Sequence, residues 1–215
     1  MPAGHVVLAF AKAPQAGRVK TRLAGDLGAE AALRIYDRMA RRVWETLMRL
    51  KDETGTQIWL CYDPPEATEA VAVWLAGADR YLPQAAGDLG QRLEAGFREG
   101  IRARFQAIAA VGMDAPGLVR AQFELAFAQA TNQAAVAGPT PDGGFYLLAV
   151  ATPGPDPAAL FQKVRWSSAL TLADVGRNAA LLGVGLVFLS PQLDIDTLAD
   201  LQAYRRSPSQ QEFPL

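Results

Sequence analysis

Five consecutive apolar residues, Val6-Val7-Leu8-Ala9-Phe10, show no alternation of apolar and polar side chains, so a strand built from them buries both faces. A strand of that kind needs cover on each side, which a parallel sheet between two helical layers supplies. Leu33, Tyr36, Met39, Val43, Leu47 and Leu50 then recur at steps of three and four, which predicts a crossover helix from Ala29 to Lys51 ended by Gly55. A second strand follows over Gln57–Tyr62, closed by Asp63-Pro64-Pro65, then a helix over Glu66–Leu75 and a short strand at Arg80–Leu82. Asp88 reads as the N-cap of a helix that ends before Phe105, and Ala107–Val111 is a second doubly buried strand. Beyond it lie a helix over Val119–Thr131, strands over Ala134–Gly138 and Phe145–Val150, helices over Pro157–Phe161 and Ala169–Leu182, a strand over Val184–Leu189 and a helix opening at Asp194-Ile195-Asp196-Thr197. The connection Pro139–Gly144 is too short for a parallel crossover, so one strand runs antiparallel. The expected architecture is α/β: three layers, α/β/α, around a mostly parallel mixed sheet.

The chain of 215 residues, 50% hydrophobic and 20% charged, suits one domain, expected over residues 1–206, with a C-terminal tail at 207–215. A formal charge of -1 argues against nucleic acid or an anionic membrane as partner, so any basic site has to be local. Cys61 is the single cysteine, which excludes an internal disulfide, fits a reducing compartment and reads as a small buried hydrophobe. The longest late apolar run, Ala179–Leu189, is too short and glycine-rich to span a bilayer, and no leader-like segment opens the chain. The expected location is the cytoplasm, with the oligomeric state open.

Such a local basic site follows the first strand. Between Phe10 and Leu23 the chain carries Lys12, Arg18, Lys20 and Arg22 with no acidic residue, while Pro14 and Gly17 break regular structure. In open α/β sheets ligands collect outside the carboxyl ends of the strands. Cations there suit phosphate oxygens, Arg as a fork and Lys as a point charge; the alternative is a solvated basic loop. Asp114, Asp142, Asp194 and Asp196 fall at strand ends or turns. Hard oxygens there suit Mg²⁺ or Mn²⁺ shared with substrate phosphates. Each alone also suits turn or cap chemistry, Asp142 before Gly143-Gly144 most clearly, and Asp196 or Thr197 as cap of the last helix. Gly17-Arg18-Val19-Lys20-Thr21 lacks P-loop spacing, Gly183-Val184-Gly185 precedes a strand where a dinucleotide fingerprint follows one, and His5 is the sole histidine. A hydrolase triad or histidine-zinc site is thereby disfavoured.

Read together, Phe10-Ala11-Lys12-Ala13-Pro14, Gly17 to Leu23, Gly87-Asp88-Leu89-Gly90-Gln91-Arg92, Gly112-Met113-Asp114-Ala115-Pro116, Gly138 to Leu147, Val164-Arg165-Trp166-Ser167-Ser168 and Asp194 to Leu201 resemble the radical-SAM/selenodomain-associated transferases, generally classed with glycosyltransferases. The resemblance spans nearly the whole chain. It implies the nucleotide-diphospho-sugar transferase (GT-A-like) fold, with nucleotide over the first half of the sheet. By the same resemblance the first loop holds phosphates through Lys12, Gly17, Arg18, Lys20 and Arg22, Asp114 and Asp196 hold the metal, and Gly87 and Arg92 border the base or ribose. Met113 and Ala115 stand where the family commonly has Ser or Thr and Cys, and Leu198 where related chains often have Pro.

The expected activity is metal-dependent transfer from a nucleotide-activated donor to a small-molecule acceptor, in its leading form nucleotidyl transfer from a nucleoside triphosphate with pyrophosphate leaving. Lys20 and Asp114 are then catalytic: Lys12, Arg18, Lys20 and Arg22 stabilise the leaving group while metal on Asp114 and Asp196 screens the reacting phosphate. Glycosyl transfer from a nucleotide-diphosphate sugar is the alternative, with Asp142 assisting the acceptor, and a non-catalytic nucleotide-binding partner is a third reading. Arg165, Trp166 and Ser167 are expected on the acceptor side, since an aromatic beside a cation suits an amphipathic wall; packing of Trp166 in the core competes equally.

Overall fold

The computed structural model of the protein describes residues 3–206; the expected tail at 207–215 lies outside the described residues. In chain order the elements are β1 (Ala3–Lys12), α1 (Thr21–Leu27), α2 (Ala29–Thr54), β2 (Gln57–Asp63), α3 (Thr68–Trp74), β3 (Arg80–Pro83), α4 (Leu89–Arg102), β4 (Phe105–Gly112), α5 (Arg120–Gln129), β5 (Ala134–Pro139), β6 (Phe145–Ala151), α6 (Pro157–Leu160), α7 (Thr171–Leu181), β7 (Gly185–Phe188) and α8 (Leu198–Arg206). The strands form one sheet in the order β3-β2-β1-β4-β6-β5-β7. β1 pairs in parallel with β2 and with β4, opposite Gln57 to Asp63 on one side and Phe105 to Gly112 on the other. Only β6 is reversed, antiparallel to both β4 and β5, because the chain turns back through Pro139–Gly144.

The unbroken apolar run of β1 is buried on both faces, as its pattern requires. Val7, Ala9 and Ala11 face a layer that includes Met39, Val43 and Leu47 of α2, Val71 of α3, Phe123 of α5 and Tyr204 of α8. Val6 and Leu8 face the opposite layer, with Leu93 and Phe97 of α4, Leu160 of α6 and Val175 of α7. α4 packs closely on the sheet: a Cβ on Gly100 would stand 2.7 Å from Ile108 Cδ1 and 3.0 Å from its Cγ1, so a side chain there would force Ile108 or the helix to shift.

The structure differs from the sequence expectation where short elements meet. α1 occupies residues expected to be loop, because Leu23 is driven into the core and Gly28, at φ 83°, ends the helix after seven residues. α2 continues to Thr54, reaching Gly55 in the left-handed region. The first turn of the expected helix over Glu66–Leu75 is a 3₁₀ turn over Pro65–Ala67, and the helix expected from Ala169 starts at Thr171. No helix among the described residues is long and apolar enough to cross a membrane.

Candidate functional site

The carboxyl ends of β1 and β4 open into a cavity of about 660 Å³. β1 reaches it at Lys12, whose main chain is held by Tyr36: the Lys12 N–H donates to the Tyr36 hydroxyl at 2.9 Å, and that hydroxyl donates to the Lys12 carbonyl at 2.9 Å. Beside it, the Gln84 amide donates to the Ala11 and Cys61 carbonyls at 3.2 and 2.9 Å. Both side chains satisfy main-chain groups that the sheet ladder leaves open at its end.

The basic loop returns to the same cavity through Lys20, which stands just ahead of α1 with φ 46° and ψ 49°. Its ammonium lies 3.0 Å from Asp114 Oδ2 and 2.5 Å from Asp196 Oδ1, so carboxylates from the end of β4 and the start of α8 converge on one cationic atom. Burial disfavours the charged amine, but Asp114 and Asp196 outweigh it and leave the Lys20 pKa raised. Asp196 is spared for this role because α8 is capped by others. Asp200 Oδ2 accepts from the Thr197 N–H at 2.8 Å and from its hydroxyl at 2.7 Å, and the Asp200 N–H donates to Thr197 Oγ1 at 3.2 Å, the reciprocal pattern of a capping box.

Lys12, Lys20, Arg22, Gly87, Arg92, Asp114, Asp196 and Ser167 line the cavity. Gly17 and Arg18 do not: Gly17 sits at φ 76° in the turn where the Arg18 N–H donates to the Gln15 carbonyl at 3.0 Å, and Arg18 is exposed. Lys12 and Arg22 make no ion pair among the described residues and remain open to an anion. Arg92 is occupied by protein, its guanidinium donating to the Gly87 carbonyl and Gln84 Oε1, each at 3.1 Å, and standing 3.4 Å from Asp63. It braces the Gly87 loop, while Asp88 caps α4 reciprocally with Gln91 as expected.

Asp142 stays outside the cavity wall. Its Oδ1 accepts from the Thr140 hydroxyl at 2.5 Å and the Gly144 N–H at 3.0 Å, which is turn chemistry. On the expected acceptor side the three residues separate. The Arg165 guanidinium turns to Asp174, donating twice at 2.8 Å, and so holds that buried carboxyl well below the usual carboxylate range. Trp166 packs against Phe145 and Phe161 and over Gly90, where a Cβ would stand 2.7 Å from Trp166 Nε1. Ser167, in the left-handed region at φ 53°, is the one that reaches the cavity.

Tyr36 and Gln84 belong to this site without having been singled out in the sequence. Tyr36 reads as one more apolar position of the α2 stripe, and Gln84 carries no local signal. Asp194 also lines the cavity. Burial, then Asp114 and Asp142, push its carboxyl up to about 7 from a model-compound value of 3.8. The folded state therefore holds a proton there that the unfolded chain releases near pH 4. Stability from this group is unpenalised below that pH, falls as pH rises toward 7 and stays reduced above it. Asp194→Asn is thus expected to raise Tm at pH 8 but not at pH 4.5, with about 2–4 °C for each kcal/mol recovered. Thermal unfolding of both proteins in EDTA at the two pH values measures this, and equal Tm differences at both would contradict it.

The fold that carries this cavity is that of the nucleotide-diphospho-sugar transferases: a candidate nucleotide-diphospho-sugar transferase from Desulfovibrio desulfuricans G20 superposes with a TM-score of 0.85 at 23% identity, covering 97% of this chain and 93% of that one. The chain belongs to the bacterial family described as "uncharacterized protein conserved in bacteria (DUF2064)", whose model matches residues 46–168. More distant structures share the fold. A 4-diphosphocytidyl-2C-methyl-D-erythritol synthase from Anaerococcus prevotii DSM 20548 has a TM-score of 0.61 at 11% identity, covering 96% of this chain and 97% of that one. A Mycobacterium tuberculosis H37Rv protein solved as a complex with manganese has a TM-score of 0.52 at 16% identity, covering 96% of this chain and all of that one. A search of curated proteins finds no match.

Proposed function

We propose that the protein is a transferase acting on a nucleotide-activated donor, and that the reaction is nucleotidyl transfer from a nucleoside triphosphate to a small phosphorylated or hydroxyl acceptor. The observation that carries this reading is one cavity at the carboxyl ends of β1 and β4 that is lined by a cationic wall, Lys12 and Arg22, and by an acidic wall, Asp114 and Asp196, whose carboxylates Lys20 bridges. The cationic wall suits a polyphosphate. Its cations suit departing pyrophosphate better than a less charged nucleoside diphosphate. The Gly87 loop, braced by Arg92 and Gln84, borders the base or ribose, and Ser167 with Phe145 and Tyr146 forms the acceptor side.

A divalent ion fits the acidic wall. No group of three or more His, Cys, Asp or Glu side chains that could hold a metal occurs among the described residues, yet two carboxylates already converge on one cationic position. Mg²⁺ and Mn²⁺ are commonly bound by one or two carboxylates completed by substrate phosphates. Asp114 and Asp196 would hold the ion, and the neighbour solved with manganese supports that choice. Bound there, it supplies Lewis-acid screening of phosphate charge. Lys12 and Arg22 bind the departing phosphates, and Tyr36 fixes the end of β1 that presents Lys12.

Glycosyl transfer from a nucleotide-diphosphate sugar is the second reading, favoured by what the Desulfovibrio structure is named for and by the radical-SAM/selenodomain-associated transferases that the motifs resemble. The products separate the two. Incubation with a panel of nucleoside triphosphates and nucleotide sugars, Mg²⁺ and pooled phosphorylated and hydroxyl acceptors is expected to release pyrophosphate. Nucleoside diphosphate formed from nucleotide sugars alone would promote the glycosyl reading; turnover with neither donor class would leave a nucleotide-binding partner.

A further inference from the structure

The Lys20 side chain is 6% exposed, whereas the side chains it joins, those of Asp114 and Asp196, are 35% and 42% exposed. The cation is therefore underneath and its two partners keep oxygen lone pairs open to the cavity. A divalent ion held by the same two carboxylates would bring a second positive charge close to the ammonium. Two cations on one carboxylate pair repel, which favours release of the ammonium when the ion binds.

The surroundings allow the ammonium to leave. Lys20 is a non-glycine residue in the left-handed region, a conformation that persists only where contacts enforce it. Its main chain follows a loop, residues 13–19, in which the Ala13 N–H donates to the Asp63 carbonyl and the Arg18 N–H to the Gln15 carbonyl. The Lys20 stem is flexible, and Lys12 and Arg22 line the same cavity. The cap of α8 is made by Thr197 and Asp200, with the Asp196 N–H donating to Asp200 Oδ2 at 3.2 Å, so the Asp196 carboxylate itself takes no part in it.

We infer that Lys20 is an exchangeable internal cation: its ammonium neutralises the Asp114–Asp196 pair, a divalent ion displaces it, and the released ammonium turns to the phosphate-binding wall. This rests on the proposed metal role of the two carboxylates. It makes divalent-ion binding weak in the absence of nucleotide, since the competent state is only a fraction of the population, and it couples arrival of the ion to delivery of a cation for the phosphates.

Titration of MnCl₂ alone into the full chain, followed by the loss of the free Mn²⁺ electron-spin signal, tests the exchange. Lys20→Met, which keeps an apolar stem, is expected to bind Mn²⁺ at least about tenfold more tightly than the wild type, and Asp114→Asn added to it is expected to remove that binding. Equal affinity in wild type and Lys20→Met, lost in both on adding Asp114→Asn, overturns the exchange while leaving the metal role of the carboxylates intact. No Mn²⁺ binding by either protein overturns that metal role and the exchange with it. A second measurement needs no folded variant. Reductive methylation of the wild type, read by peptide mass spectrometry, is expected to label Lys20 several-fold more with saturating Mn²⁺ than without it, with the exposed Lys12 labelled in both; unchanged Lys20 labelling at saturation overturns the proposal.

Discussion

Asp114→Asn is expected to lower turnover by about 10²–10³-fold, the scale of removing one preorganised electrostatic group from a reacting centre, while Tm moves by no more than a few degrees. The carboxamide keeps the size of the carboxylate, and Asp114 packs little, being 35% exposed. What is lost in the resting protein is one ion pair of Lys20, whose ammonium retains Asp196 at 2.5 Å. The Asn oxygen still accepts from the ammonium and Asp196 still balances its charge, so the loss stays well below the roughly 3–5 kcal/mol of an abandoned buried charge, at about 1 kcal/mol. What is lost during reaction is a negative charge at the place where phosphate charge is to be screened, and a neutral amide is a poor substitute as a hard-cation ligand. Kinetics with the donor identified by product analysis, beside thermal unfolding of the same preparations, measure the split. A fall in activity matched by an equivalent fall in stability would mean that Asp114 is retained for the Lys20 bridge alone.

The architecture was legible because its decisive signals are short-range. An apolar run without alternation at Val6–Phe10, a stripe at steps of three and four along α2, and a turn at Pro139–Gly144 too tight for a crossover each fix a local choice, and together they leave few sheets to build. The site was legible in part for a different reason. Strand-end position predicts which cations and carboxylates can converge, so Lys12, Lys20, Arg22, Asp114 and Asp196 share a cavity. It does not predict the direction of a side chain. Arg165 turns away because Asp174, nine residues on, offers it a bidentate partner, and Trp166 packs down because Gly90, far off in sequence, leaves a surface without a side chain. Asp142 satisfies its own turn, the competing chemistry that its Gly-Gly neighbours announced. Tyr36 escaped notice because a tyrosine in an apolar stripe looks like core until its hydroxyl is seen holding both main-chain groups of Lys12.

Phe97→Ala is expected to destabilise the protein by about 3–5 kcal/mol, the range for deleting a fully buried aromatic ring, and to lower Tm by roughly 10 °C. Phe97 is 0% exposed and belongs to one buried cluster with Val6, Leu8, Leu93 and Phe161, so its deletion leaves a void inside that cluster. α4 has little freedom to fill it. Gly100 already holds the helix against Ile108, and a further approach would drive backbone into side chain. The ring also starts an aromatic series that runs from the core toward the cavity: Phe97 meets Phe161 at 5.6 Å between centroids, Phe161 meets Trp166 at 6.0 Å, and Trp166 meets Phe145 at 6.5 Å. Loosening its buried end should therefore reach the segment that presents Ser167 while leaving Lys12, Lys20 and Asp114, on the other wall, in place. Urea unfolding gives the stability loss, and nucleotide affinity measured well below the lowered Tm should stay within about twofold of the wild type, a difference of some 0.4 kcal/mol. A stability loss below about 1.5 kcal/mol would show that α4 can collapse onto the void after all, and a large fall in nucleotide affinity would show that the two walls of the cavity are not mechanically separate.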